Sequence, residues 1–244
     1  YPVQYEGEEQ SLNVFYTAAT PNQQLVPAAE YMMKEFESKK FYLLGTDYVF
    51  PRTANKVLKA FLKAKGVPDA NVLEVYTPFH HQEYQTIVAQ IKKFAASGDA
   101  CVLSTINGDS NVPFYKEFAN QGLTSKDCPI MAFSVAEDEL RAMDVPPLVG
   151  HLACWNYYQS IKTRENAAFV KAFKKYCKAK GLPGGTKRVT DDPIEAAYFG
   201  VYVWKTAVEK AKSFEVDKVR KAVYGLKFDA PGGPKSMHPS NQHT

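Results

Sequence analysis

Residues 41–66 read FYLLGTDYVFPRTANKVLKAFLKAKG, and this stretch decides the fold class. The run Phe41-Tyr42-Leu43-Leu44-Gly45 is short, continuous and apolar, the pattern of a strand buried on both faces. Over residues 53–65 the period changes, with Val57, Leu58, Phe61 and Leu62 recurring on one side of a helix. Gly66 stops that helix and Pro68 lies just beyond. Residues 45–52 are then the loop that leaves the strand and enters the helix.

The same alternation extends both ways. Upstream, residues 13–18 read as a strand, and Pro21 and Asn22 open a helix carrying Val26, Ala29, Tyr31 and Met32. Downstream, residues 72–76, 100–104, 130–133 and 148–154 read as strands, and residues 83–96, 112–120 and 135–143 as the helices between them. Strands separated by helices of this length imply a mostly parallel sheet covered on both faces, an α/β fold. The last third differs. It predicts long helices at 165–180 and 193–212, a shorter one at 216–224, and a sharp turn at 228–233.

The bulk properties exclude several classes. The chain has 244 residues, 45% of them hydrophobic and 23% charged, enough for a sizeable core. Its net charge of +4 is mild, and Lys and Arg are spread along helix faces, so no nucleic-acid partner is expected. No apolar run reaches the length of a membrane span. The chain lacks an initiator Met and ends abruptly, so residues are expected beyond both ends. Cys101, Cys128, Cys154 and Cys177 form no C-x-x-C pair, and either buried thiols or disulfides fit their spacing. His151 and Cys154 share a strand-like run, where their spacing points them to opposite faces rather than to one metal. His80-His81 is likewise an unsuitable metal pair.

In open α/β sheets, ligands bind beyond the carboxyl ends of the strands. Four loops qualify. The first holds Tyr48 and Phe50, which either wall a small pocket or pack on the next helix. The second, Thr105-Ile106-Asn107-Gly108-Asp109-Ser110-Asn111, is dense in short polar groups, with Asp109 or Ser110 available to cap the next helix. Ser134 directly follows the strand at 130–133, and Trp155-Asn156-Tyr157-Tyr158 follows the last. None of these loops pairs a nucleophile with a base, and no Gly-x-Ser-x-Gly, Walker or Gly-x-Gly-x-x-Gly pattern occurs, so an enzyme is not expected. Aromatics, hydroxyls and carboxamides with few formal charges suit a small neutral polar ligand. Urea, with N–H donors and one carbonyl acceptor, is the first candidate. Asp109 leaves an amino acid open, because it could receive an ammonium group.

At these loops the sequence resembles the substrate-binding subunits of urea ABC transporters (UrtA type). The resemblance is carried by Tyr1-Pro2-Val3-Gln4-Tyr5-Glu6-Gly7, Pro21-Asn22-Gln23-Gln24, residues 45–52, residues 105–111, Trp155-Asn156-Tyr157, residues 188–198 and Phe228-Asp229-Ala230-Pro231. It runs in order along nearly the whole chain. The short-chain amide receptors (AmiC type) are similar but less so. They share the Tyr-Glu-Gly, Pro-Asn-Gln and Glu-Ala-Ala-Tyr patterns but lack the Asn-Gly-Asp-Ser-Asn run.

The resemblance implies a type I periplasmic-binding-protein fold, with two doubly wound three-layer αβα lobes and the N-terminal part of the first lobe missing from this chain. Mapped here, residues 1–19 and 158–227 would belong to the first lobe, and 20–157 with 228–244 to the second. The expected ligand contacts are Tyr48 and Phe50 as pocket aromatics, Tyr1, Gln4 and Tyr5 from the facing loop, and Ser134 as a hydroxyl, beside Asn107, Asp109 and Trp155 from the loop reading. The amide receptors carry Thr-Pro where Val3-Gln4 stands, which changes the space offered to a ligand. The implied role is hinge closure on urea or a short-chain amide without cofactor or metal, and delivery to ABC permease subunits in the membrane. The protein would lie in the periplasm or at the cell surface. Rival readings are a cytoplasmic amide-sensing regulator of the same fold, a branched-chain amino acid receptor and an α/β amidase.

Overall fold

The computed structural model describes residues 11–244, so the calls on Tyr1, Gln4 and Tyr5 lie outside the described residues. The chain divides into two compact units, one of residues 21–154 and one formed by 155–244 with the segment up to residue 20.

The first unit is an α/β layer structure. It runs α1 (Pro21–Glu35), β1 (Lys40–Thr46), α2 (Val49–Ala64), β2 (Val72–Thr77), α3 (Gln85–Phe94), β3 (Ala100–Thr105), α4 (Asn111–Asn120), β4 (Ile130–Ala132), α5 (Glu137–Leu140) and β5 (Leu152–Ala153). All five strands are parallel, in the order β2-β1-β3-β4-β5. Strand alternation sorts the core into two layers. Phe41 and Leu43, Cys101 and Leu103, and Met131 and Phe133 meet Leu25 and Met32 of α1 and Leu58 and Leu62 of α2. Tyr42 and Leu44, Val102, and Ile130 and Ala132 meet Val88 and Ile91 of α3 and Phe114 and Phe118 of α4. Burial on both faces is why these strands are apolar at nearly every position.

The second unit holds α6 (Arg164–Ala179), α7 (Asp192–Ala211), α8 (Val216–Val223) and an antiparallel hairpin of β6 (Lys227–Ala230) and β7 (Gly233–Ser236). Thr163 caps α6 through the Asn166 N–H, and Asp191 caps α7 through the Ile194 N–H. Phe199, Val203 and Ala207 of α7 pack with Val219 and Val223 of α8 and with Ala230 and Met237. On its other side α7 presents Tyr198, Val201, Tyr202 and Trp204 to solvent.

Several sequence expectations are corrected. Residues 13–18 form only an isolated bridge between Tyr16 and His243, not a strand. The helix expected from residue 53 begins at Val49, because Pro51 falls in its first turn, where a missing N–H costs nothing. The helix expected over 135–143 shortens to α5, and the strand over 148–154 to β5. The turn at 228–233 is the tip of the β6–β7 hairpin. That hairpin packs with α7 and α8, whereas the sequence partition grouped 228–244 with 20–157.

All four cysteines are free thiols. His151 and Cys154 do face opposite ways. The His151 ring lies 5.4 Å from that of Phe118, while Cys154 packs beside the α1 layer and donates to the Gln24 carbonyl at 3.4 Å. The described residues contain no group of three or more metal-ligating side chains, and no helix among them is long and apolar enough to cross a membrane.

His151 Nδ1 accepts the Ile130 N–H at 3.1 Å, and burial lowers its pKa from 6.5 to about 4. Only the neutral ring can accept this bond. Its stabilisation is therefore complete above pH 6.5 and lost as pH falls towards about 4. The loss should reach up to about 3 kcal/mol. Thermal unfolding measured across this window should show a steeper fall in Tm for the wild type than for His151→Gln.

Candidate functional site

The strand order reverses direction between β1 and β3, which pair side by side although β2 lies between them in sequence. The helices that leave these strands diverge to opposite faces and open a crevice at the carboxyl edge. The sequence-marked loops 45–52 and 105–111 flank this switch point.

Main-chain geometry sets the floor of the crevice. Gly45 sits opposite Thr105 in the register, and a Cβ at Gly45 would lie 2.5 Å from Thr105 Oγ1 and 2.7 Å from Pro51 Cβ. Only glycine lets α2 and β3 close so tightly on β1. The Thr46 side chain is fully buried, and its hydroxyl accepts the Asn107 N–H at 3.0 Å, joining the two strand ends. The Asp47 N–H donates to the Thr77 carbonyl at 2.7 Å, joining β1 to β2.

On this floor the structure brings Tyr48 and Asn107 together. Tyr48 is the N-cap residue of α2, with extended backbone, and Asn107 Nδ2 donates to its hydroxyl at 2.7 Å. Phe50, in the first turn of α2, has its ring 6.3 Å from that of Tyr48. The Tyr48 and Phe50 side chains are half-buried at the strand ends. Phe50 also packs against the α1–α2 layer, as the packing reading of this pair expects.

Phe79, in the loop after β2, was missed in the sequence. Its ring lies 4.9 Å from Tyr48 and it is 51% exposed, which adds a third aromatic to the wall. The signal was available, because Phe79 follows a strand end beside β1. His80 next to it places Nδ1 at 2.9 and 3.0 Å from the two Asp109 carboxylate oxygens. Asp109 therefore does not cap α4. No side-chain cap bond is made there, and Asn111 Nδ2 instead donates to the Ile106 and Gly108 carbonyls at 3.0 and 3.1 Å. Asp47 is held by Arg52 at 2.6 Å, and the Arg52 guanidinium lies 4.4 Å from the Tyr76 ring centroid. Hydrogen bonds from Arg52 and from His80 hold Asp47 and Asp109, respectively, below the usual carboxylate range.

Ser134 is buried directly after β4, at the same edge. Gln24, one of the quoted Pro-Asn-Gln-Gln residues, secures that region. Its side-chain amide donates to the Phe133 carbonyl at 3.2 Å and the Cys154 carbonyl at 2.6 Å, tying α1 to the ends of β4 and β5. Trp155 falls outside this unit. The arrangement offers aromatic faces, a carboxamide and hydroxyls, and no nucleophile beside a base. It can contact and orient a small polar molecule.

Substituting Gly45→Ala should force Thr105 or Pro51 away and destabilise the protein by about 1–3 kcal/mol. Guanidinium unfolding of wild type and variant checks this, and equal stabilities would show that the crevice floor yields freely.

The sequence pattern of the periplasmic binding protein domain matches residues 1–244. A protein of Brucella melitensis called Leu/Ile/Val-binding protein homolog 6 is 26% identical over 211 residues, which cover 84% of this chain and 50% of that protein. The chain thus spans half the length of the curated relatives it matches. A solute-binding protein of an ABC transporter from Rhodopseudomonas palustris, solved with p-hydroxybenzoic acid, superposes with a TM-score of 0.78 at 23% identity, over 94% of this chain and 60% of that one. A leucine-binding protein from Thermotoga maritima superposes with a TM-score of 0.77 at 14% identity, over 94% and 62%. The fold is thus that of the type I periplasmic binding proteins, and the chain belongs to the periplasmic binding protein domain family, a family of solute-binding proteins and not of enzymes.

Proposed function

We propose that this protein is the solute-binding receptor of an ABC importer, acting in the periplasm or at the cell surface, and that it captures urea or a short-chain amide. The Tyr48–Asn107 pair at the β1–β3 switch point carries the reading. A hydroxyl and a carboxamide supply donors and acceptors to a neutral amide, while Phe50 and Phe79 beside them cover its flat faces. Urea presents both N–H and C=O groups, so a site that leaves either unmatched would lose it to water. Ser134 is proposed as a further hydroxyl contact, and Tyr1, Gln4, Tyr5 and Trp155 as contacts from outside the 21–154 unit.

Capture is proposed to follow lobe closure, with the closed form favoured because only there does the ligand touch both sides. The 21–154 unit would be the lobe that carries Tyr48, and the membrane permease would receive the ligand. No nucleic acid, cofactor or metal takes part in this account.

A second reading is supported by the Brucella relative's name. On that reading the ligand is a branched-chain amino acid, and Asp109 would receive its ammonium group.

Calorimetric titration of the full-length protein with urea, acetamide, formamide and leucine separates the two. The expected result is one saturable site for urea, with weaker binding of the other amides and none of leucine. Binding of leucine alone would replace the proposal with the second reading.

A further inference from the structure

The loop after β2 does more than extend the aromatic wall. His80 adopts a left-handed backbone conformation, with φ of 61°, which few non-glycine residues take. That conformation accompanies two contacts of the loop with its neighbours. Phe79 lies against Tyr48, in the loop after β1, and the His80 imidazole meets both Asp109 oxygens, in the loop after β3. The carboxylate two residues on from Asn107 is therefore engaged by another side chain of the same unit.

The other carboxylate of these two loops is engaged in the same way, since Asp47 bonds Arg52 at 2.6 Å. Each acid already accepts from a side-chain donor of its own unit, so an ammonium group would have to compete with that donor. Beyond β4, Glu139 accepts the Ala136 N–H at 2.8 Å. The aromatic faces and the Asn107 carboxamide keep their preference for flat, uncharged groups.

From this arrangement we propose that His80 is a specificity-determining residue: by holding Asp109 it withdraws that carboxylate from cationic ligands and restricts the site to amides without an ammonium group. This rests on the amide reading above and deepens it. The same feature distinguishes it from the amino acid reading, in which Asp109 must be open to the ligand.

Acetamide and glycinamide form the matched probe pair, because glycinamide is acetamide with an added ammonium that is largely protonated at pH 7. Titration of the full-length protein should give wild type a strong preference for acetamide. His80→Ala should raise the glycinamide-to-acetamide affinity ratio by about tenfold or more, the scale of one charge-assisted hydrogen bond. Adding Asp109→Asn to His80→Ala should cancel that rise, and Asp109→Asn alone should leave the ratio at the wild-type value. The His80 and Asp109 side chains are 78% and 59% exposed, so the variants should keep the wild-type fold, which far-UV circular dichroism checks.

An unchanged ratio in His80→Ala, or a rise that survives Asp109→Asn, would overturn the inference. Tight glycinamide or leucine binding by the wild type would overturn it equally. If no neutral amide bound the wild type, the proposed function would fail by itself. The inference would then stand or fall on whether His80→Ala alone gains glycinamide binding through Asp109.

Discussion

The pairing of β1 with β3 sets the position of the proposed site in the 21–154 unit. Phe41 to Gly45 lie beside Cys101 to Thr105 in parallel register, buried on both faces, so every backbone polar group must be met by the neighbouring strand. The register cannot slip by one residue without turning Tyr42 and Leu44 into the layer that receives Phe41 and Leu43. Fixing it fixes where the two loops emerge. Thr46 then meets the Asn107 N–H, and Tyr48 meets the Asn107 side chain. The chemistry at the edge is a consequence of packing in the middle.

Electrostatics then narrows what such an edge can hold. Strand ends next to helix N-termini are positive by default, since the first N–H groups of a helix have no partner within it. Here that polarity is balanced locally, because Asp47 and Asp109 lie near the starts of α2 and α4. Each acid is in turn bonded to a side-chain donor. The solved proteins of this fold named above hold an aromatic acid in one case and bind leucine in another, so the fold leaves ligand charge open. Side chains, and not the scaffold, must decide it.

Much of the scaffold was legible because buried parallel strands leave a simple trace. The runs at 41–45, 100–104 and 130–133 are apolar without alternation, and each became a central strand. Residues 13–18 imitate that trace but among the described residues have no partner strand beyond the Tyr16–His243 bridge, and pairing is a property of distant chain. Pro51 was placed in the loop 45–52, although the first helical turn accommodates proline well. In the site, Tyr48 and Asn107 were marked singly by their loops. Their hydrogen bond spans 59 residues of sequence and follows only from the strand order. The His80–Asp109 contact spans 29 residues and depends on one left-handed backbone angle, which leaves no periodic signal at all. Tyr1, Gln4 and Tyr5 rest on resemblance alone.

The central claim is that the carboxyl edge at β1 and β3 is where a small neutral amide binds. Amide chemical-shift mapping of the isotope-labelled, full-length protein during a urea titration tests it most directly. The account predicts saturable shifts concentrated at residues 46–50, 79–80 and 106–109, with the core of α3 and α4 unaffected. Saturable shifts confined to other regions, with these three loops silent, would contradict it.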